Sequence, residues 1–377
     1  MKKVNVILAV LIVSGLMTGC GGNKSRNATD ETRTVAEVHG ITMTLKPKGE
    51  IKFSLGGNRT ATVDWGDGSP VETVTLSIAE NYFTPDSKEY IKHNYAQQAE
   101  YAIKITGENI IRLYCSGCNV TNLDLNVPTL KDLRCEYNQL TTLDVSKNTE
   151  LKELECDNNQ LTSLDVSKNT ALIKLACYNN RLTSLDVSKN TALTKMWCNG
   201  NQLTSLDVSK NTALTDLSCD DNSLTTLDVS KNTALIKLAC CNNRLTSLDV
   251  SKNTALTDLS CFGNQLTSLD VSKNTALTDL SCDDNSLTTL DVSKNTALIH
   301  LGCSGNQLSE NALNALFHTL CNNGNQKFIR IYENPGYYGS DRSIAEEKGW
   351  EVGFRDLSAG DIDQSDIIDE EDNGDND

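Results

Sequence analysis

From about Ile110 to Leu308, apolar and polar positions recur with a fixed period of 21 residues, each copy close to N-T-A-L-x-x-L-x-C-x-x-N-x-L-T-x-L-D-V-S-K. Within a copy, two stretches alternate in the manner of a strand and then turn at an Asn: Leu175-x-Cys177-x-x-Asn180-x-Leu182, then Leu185-x-Val187-x-x-Asn190-x-x-Leu193. The pattern predicts a flattened coil with two short extended sides. One copy carries too few inward apolar side chains to offset the entropy of ordering its own backbone. The copies must therefore stack and share a core, and at ~4.8 Å per strand ten of them form a rod roughly 45–50 Å long.

The flanks follow other patterns. Residues 35–108 alternate as strands do in Ile41–Leu45, Thr60–Trp65 and Tyr101–Ile105, with Gly66-Asp67-Gly68 as a turn. Beyond the array, Asn311–Leu320 reads as a helix, Lys327–Tyr332 as a strand, Asn334-Pro335-Gly336 as a turn, Ser340–Lys348 as a short helix and Trp350–Phe354 as a strand. These place a β/α cap over residues 309–356. At the other end, Lys2-Lys3 precedes an apolar run from Val4 to Leu16, shorter than the ~20 residues of a spanning helix, as in a cleaved export signal over residues 1–20. Residues 21–34 read as a flexible spacer. The segment 357–377 has nine acids and no base, and reads as a solvated tail that holds more than half of the net charge of −16.

Three resemblances add to this reading. The half-repeat L-x-x-L-x-C-x-x-N-x-L resembles the leucine-rich repeat, and the full 21-residue form with its cysteine is similar to the repeats of internalin-like bacterial surface proteins. That implies a solenoid with one parallel strand per turn over residues 109–308, and recognition of a protein or glycan by its strand face, as in host adhesion. Val63-Asp64-Trp65-Gly66-Asp67-Gly68, with His93-x-Tyr95 behind it, resembles the PKD-type immunoglobulin-like β-sandwich, which implies a spacer or adhesive module; His93 is expected to pack beside the tryptophan. Met17-Thr18-Gly19-Cys20 resembles the lipobox of bacterial lipoproteins, which implies acylation of Cys20 and a lipid-anchored chain in the cell envelope, at the outer membrane and facing the cell surface.

Nine cysteines stand 21 residues apart from Cys135 to Cys303. One sulfur per turn makes a line, which cannot wrap a metal ion tetrahedrally, and parallel Cβ vectors hold neighbours too far apart for good disulfides. The ladder reads as reduced thiols packed in the core. Cys241, next to core Cys240, is expected to point outward with an exposed thiol. The Asn row from Asn138 to Asn306 is expected to bond backbone groups at the turns. The four histidines are scattered, and no nucleophile, zinc or phosphate-loop motif stands out, so no catalytic residue, cofactor or metal is expected. No basic stripe with aromatics supports nucleic-acid binding. Asp361-x-Asp363-x-Ser365 has Asp366 where a calcium loop needs Gly.

Residues 169–231 and 232–294 form two blocks of 63 residues that differ at five places: Tyr178/Cys241, Lys195/Asp258, Met196/Leu259, Trp197/Ser260 and Asn199/Phe262. Four of the five fall at outward positions of the cysteine-bearing strand, while the exposed Thr, Ser and Lys of L-T-S-L-D-V-S-K-N-T scarcely vary. Change concentrated on one face points to that face as a recognition surface, with Tyr178, Lys195, Trp197, Asn199, Asp216, Asp220, Asp258, Phe262, Asp279 and Asp283 as its candidate residues. The chain is expected to act as a single copy. Two other readings stay open: a structural rod that spaces the surface without a ligand, and an enzyme in the N-terminal segment.

Overall fold

The structure, a computed structural model, describes residues 39–47, 49–77, 90–322 and 327–353. Cys20, the segments 1–20 and 21–34, and the acidic tail at 357–377 lie outside the described residues. Among the described residues no helix is long and apolar enough to cross a membrane.

Among the described residues the N-terminal part has eight strands: β1 (Gly40–Leu45), β2 (Glu50–Gly57), β3 (Thr60–Asp64), β4 (Glu72–Thr75), β5 (Ile91–Asn94), β6 (Tyr101–Gly107), β7 (Ile110–Tyr114) and β8 (Val120–Asn126). Their period-two alternation turns Ile41, Met43, Phe53, Val63, Ile103 and Ile105 inward, all buried. Strands β4, β3, β6, β1 and β8 form one antiparallel sheet in that order, and β5, β2 and β7 begin a second. Trp65 fills the core between them, with the ring of Phe53 at 5.7 Å and the hydroxyl of Tyr95 donating to the Trp65 carbonyl at 2.8 Å. His93 stacks on Trp65 at 4.4 Å and hydrogen-bonds Asp67 at 2.7 Å, the packing role its spacing predicts.

The second sheet does not stop there. Strand β7 pairs antiparallel with β2 on one side and parallel with β9 (Asp132–Arg134) on the other, so one strand serves both folds. From β9 the ladder continues through β10 (Glu153–Glu155), β11 (Lys174–Ala176), β12 (Lys195–Trp197), β13 (Asp216–Ser218), β14 (Lys237–Ala239), β15 (Asp258–Ser260), β16 (Asp279–Ser281) and β17 (His300–Gly302). Each strand from β9 to β16 pairs parallel and in register with the residues 21 positions on, as in Leu154↔Leu175 and Leu175↔Met196. The leucines and cysteines of every turn point into one continuous apolar core. All thirteen cysteines among the described residues are free thiols.

The second extended side expected from the alternation forms a strand only in the first turn, as β8; in the later turns it is irregular. Side chains take over the hydrogen bonding there. Asn190 donates from Nδ2 to the carbonyls of Val166 at 3.0 Å and Asn169 at 2.9 Å, and Asn211 repeats the arrangement one turn on. Asp186 of L-D-V accepts from the Ser188 amide at 2.8 Å, so this recurring carboxylate shapes a turn. A backbone satisfied in this way needs no ladder.

The array ends in α1 (Glu310–Thr319), β18 (Lys327–Arg330), α2 (Ser343–Glu346) and β19 (Trp350–Val352). Ser309 caps the start of α1 by accepting from the Ala312 amide. Lys348 Nζ closes its end by donating to the carbonyls of Phe317, His318 and Leu320. Strands β18 and β19 extend the parallel ladder, and with the antiparallel β2 and β5 at the other edge the sheet has fourteen strands among the described residues. The helix expected over 340–348 is only four residues long, because turns occupy both of its flanks.

Candidate functional site

Each strand turn sends three side chains outward: the first and last residues of the strand and the residue after the inward cysteine, as in Lys174, Ala176 and Tyr178. In-register pairing stacks these into three rows with neighbours ~4.8 Å apart. The ten predicted residues all belong to these rows. Lys195, Asp216, Asp258 and Asp279 are in the first, Trp197 in the middle one, and Tyr178, Asn199, Asp220, Phe262 and Asp283 in the third.

Position on the face does not guarantee exposure, and three expectations change. Trp197 is 3% exposed. Its register neighbours Ala176 and Ser218 are small enough for the indole to lie against the sheet. Lys174 Nζ and Lys195 Nζ cover the ring at 4.8 and 5.7 Å, and Nε1 donates to Asp216 at 3.3 Å. Trp197 is therefore a buried support for two lysines, not a free aromatic anchor. Asp283 is 8% exposed and accepts from Ser281 Oγ at 2.9 Å, the Ser304 amide at 2.9 Å and Arg330 Nη2 at 3.0 Å. Cys241, expected outward and exposed, is 3% exposed. Side chains on rows this close cover a small neighbour, here between Asp220 and Phe262, and burial pushes the thiol well above its usual range. Lys195 is exposed; Tyr178, Asn199, Asp216, Asp220, Asp258, Phe262 and Asp279 are half-buried.

Electrostatics divides the face. Near its N-terminal end, burial raises the carboxyls of Asp132 to about 6, Glu136 to about 7 and Asp157 to about 6. Arg134 lies among them, 3.4 Å from Glu155 and 3.8 Å from Asp132, with its guanidinium over the Tyr114 ring at 4.8 Å. Lys174 reaches Glu155 at 3.1 Å, and the Tyr178 hydroxyl bonds Asp157. Burial also raises Asp220, which accepts from Ser218 Oγ and the Cys241 amide. At the other end burial acts on Asp279 in the same direction, but hydrogen bonds from His300 Nδ1, at 2.6 Å, and Thr278 outweigh it and hold the carboxyl below its usual value.

His300 and Arg330 were not among the predicted residues. His300 stands 21 positions after Asp279, so the register alone places the two side by side. Arg330 comes from the cap, outside the period, and nothing in the repeat pattern marks it. Between them the middle row is small, with Ser260, Ser281 and Gly302, and leaves a small hollow of about 30 Å³ walled by Asp258, Asp279, His300, Phe328 and Arg330. Among the described residues no group of three or more His, Cys, Asp or Glu side chains converges to hold a metal ion. What the face offers is relief and charge for binding.

One short parallel strand per 21-residue turn, over a leucine and cysteine core and beneath an outward strand face, defines a leucine-rich repeat solenoid of the kind that serves as a recognition module. The solenoid is internalin-like. It is similar to the functional domain of InlJ from Listeria monocytogenes, which includes a cysteine ladder, at 34% identity over 70% of this chain and 64% of that one, with a TM-score of 0.57. The internalin InlF of the same species shares the fold at 18% identity, over 65% of this chain and 87% of that one, with a TM-score of 0.53. This chain thus spans less than two thirds of the InlJ domain. No family model matches the chain, and no curated protein does.

Proposed function

We propose that this protein is a bacterial envelope lipoprotein, held at the outer membrane by acyl chains on Cys20, whose solenoid binds a surface protein or glycan through the outward strand face. The PKD-like strands at the N-terminus act as the spacer between anchor and solenoid. The observation that carries this reading is the comparison of the two 63-residue blocks: four of their five differences fall on the three outward rows. The opposite edge, equally repeated along the array, keeps its Thr, Ser and Lys almost unchanged. The burial of Trp197 moves the contact role to its covering Lys195 and to Tyr178, Asp258 and Phe262. A positive patch over an aromatic in one block becomes a negative one beside Phe262 in the next, and such local contrasts select partners.

The test is retention on host-protein and glycan arrays. The mature chain is compared with the variant Tyr178→Ser/Lys195→Ala/Phe262→Ser and with Thr183→Ala/Thr246→Ala on the opposite edge. The face variant is expected to lose retention at least tenfold while the edge variant keeps it. Equal retention by all three would overturn the assignment of the strand face.

A further inference from the structure

Of the thirteen described cysteines, twelve are buried and Cys321 is half-exposed. It follows α1 at the start of the cap, with its sulfur 3.8 Å from the Leu298 carbonyl of the last repeat. Lys327, the first residue of β18, is 4% exposed, an unusual place for an ammonium group. Its Nζ donates to Cys321 Sγ at 3.1 Å and to the Cys321 carbonyl at 3.5 Å. The Trp350 ring lies 5.5 Å from the same nitrogen, and its Nε1 donates to the Cys321 carbonyl at 2.8 Å. Indole and backbone thus hold a primary amine against the sulfur of a half-exposed residue. The ladder thiols are fully covered, and several donate to carbonyls on the next turn, as Cys282 does to Gly302 at 3.2 Å; Cys321 likewise donates to the Leu298 carbonyl but has, in addition, the Lys327 amine against its sulfur.

We propose that Cys321 and Lys327 form a modification site, a peroxide-responsive pair that closes a sulfur–nitrogen bond across the cap. The oxidant is a hydroperoxide. In the first step the Cys321 thiolate attacks one peroxide oxygen, the O–O bond breaks, and the departing hydroxide takes a proton from the Lys327 ammonium. This leaves a sulfenic acid, a neutral amine and water. In the second step the amine attacks sulfur, the S–O bond breaks, and hydroxide leaves with the amine's proton as a second water. The sulfur has lost two electrons and the peroxide has gained them. Lysine's flexible four-carbon stem covers the remaining distance to a covalent bond. The product, a sulfenamide, ties the exit of α1 to β18, and so fastens the cap beside the last repeat.

The full chain is treated with hydrogen peroxide under native conditions and its intact mass and peptide map are read. The wild type is expected to lose two hydrogens, about 2 Da, with one cross-linked peptide joining Cys321 to Lys327. Cys321→Ser should not change in mass. Lys327→Arg keeps a cation beside the sulfur but lacks the primary amine, and should gain oxygen at Cys321 instead. A wild type that stays unmodified, or that carries only oxygen at Cys321, overturns the proposal. So does a mass loss that survives in Lys327→Arg, which would mark a disulfide.

Discussion

Asn201 offers a severe test of how the solenoid holds together. Its Oδ1 accepts from the Leu182 amide of the preceding turn at 3.0 Å, and its Nδ2 donates to the carbonyls of Cys177, Cys198 and Asn199 at 3.0, 3.1 and 3.3 Å. The partners do not depend on it equally. Cys177 and Cys198 keep a second donor, from Asn180 and Asn222, when Asn201 is removed. The Leu182 amide loses its side-chain acceptor while its own side chain stays fully buried. An orphaned buried amide costs about 1–3 kcal/mol, and the three weakened carbonyls add about 0.5–1 each, so Asn201→Ala should destabilise by about 2.5–6 kcal/mol. Asn201→Asp should be worse at neutral pH, because a carboxylate replaces the donor and faces three carbonyl oxygens. Urea unfolding followed both by tryptophan fluorescence, with Trp197 on the same turn, and by far-ultraviolet circular dichroism checks both variants. Gln202→Ala, which changes only an exposed side chain, is the control. A loss below about 1 kcal/mol for Asn201→Ala, or an Asp variant milder than Ala, would refute the account of the ladder.

Native Ellman titration should find Cys321 reactive and the twelve buried thiols silent until the chain is unfolded, since burial holds ladder thiols such as Cys177 and Cys282 well above their usual range; rapid reaction of several ladder thiols would count against a dry core. Because burial raises Asp132, Glu136 and Asp157 to about 6, 7 and 6, the folded chain binds more protons than the unfolded one between those values and the usual carboxyl range, so melting temperature should rise as pH falls from 7.5 to 5. Glu136→Gln should flatten that rise, and a melting temperature that falls over the interval contradicts the assignment. Below the usual carboxyl value the trend should reverse, as aspartates such as Asp186 and Asp207, held low by the amides of Ser188 and Ser209, become protonated. Deleting residues 232–294 joins Lys231 to Asn295 in unchanged register and should leave a cooperative fold with a smaller urea m-value. Envelope function that survives this deletion and depends only on rod length would favour the spacer reading over the strand face.

The repeat pattern made the solenoid legible because a period of 21 fixes which side chains stack, whatever the ligand. The same register arithmetic places all ten candidate residues on one face and sets His300 beside Asp279. It does not show depth. Trp197 is buried because Ala176 and Ser218, its neighbours across two strand pairings, are small, and Cys241 because its neighbours are not. Those are contacts between residues 21 apart, which alternation within one copy does not display. The irregular second side was hidden for a related reason: L-T-S-L-D-V alternates as a strand would, yet Asn190 and its equivalents already satisfy the backbone there. Arg330 lies beyond the periodic part, so its bond to Asp283 follows only from how the cap folds back.

The division of labour within each repeat explains why change can gather on the outward rows. Inward leucines, cysteines and the two Asn ladders each contact the turn before and the turn after, so a substitution there disturbs two interfaces at once. Both ends of the array are covered, by β2 pairing with β7 and by β18 and β19 extending the ladder past β17, which leaves the repeats no free edge of their own. Outward side chains carry neither burden. Between the two blocks, Lys195-Met196-Trp197 becomes Asp258-Leu259-Ser260: the core residue stays apolar, the charge above it reverses, and the indole that filled the middle row gives way to a hydroxyl at the floor of the hollow. Two outward substitutions thus alter both the charge and the relief of the face without touching a ladder bond, and recognition is therefore best sought where Lys195 and Asp258 stand three turns apart.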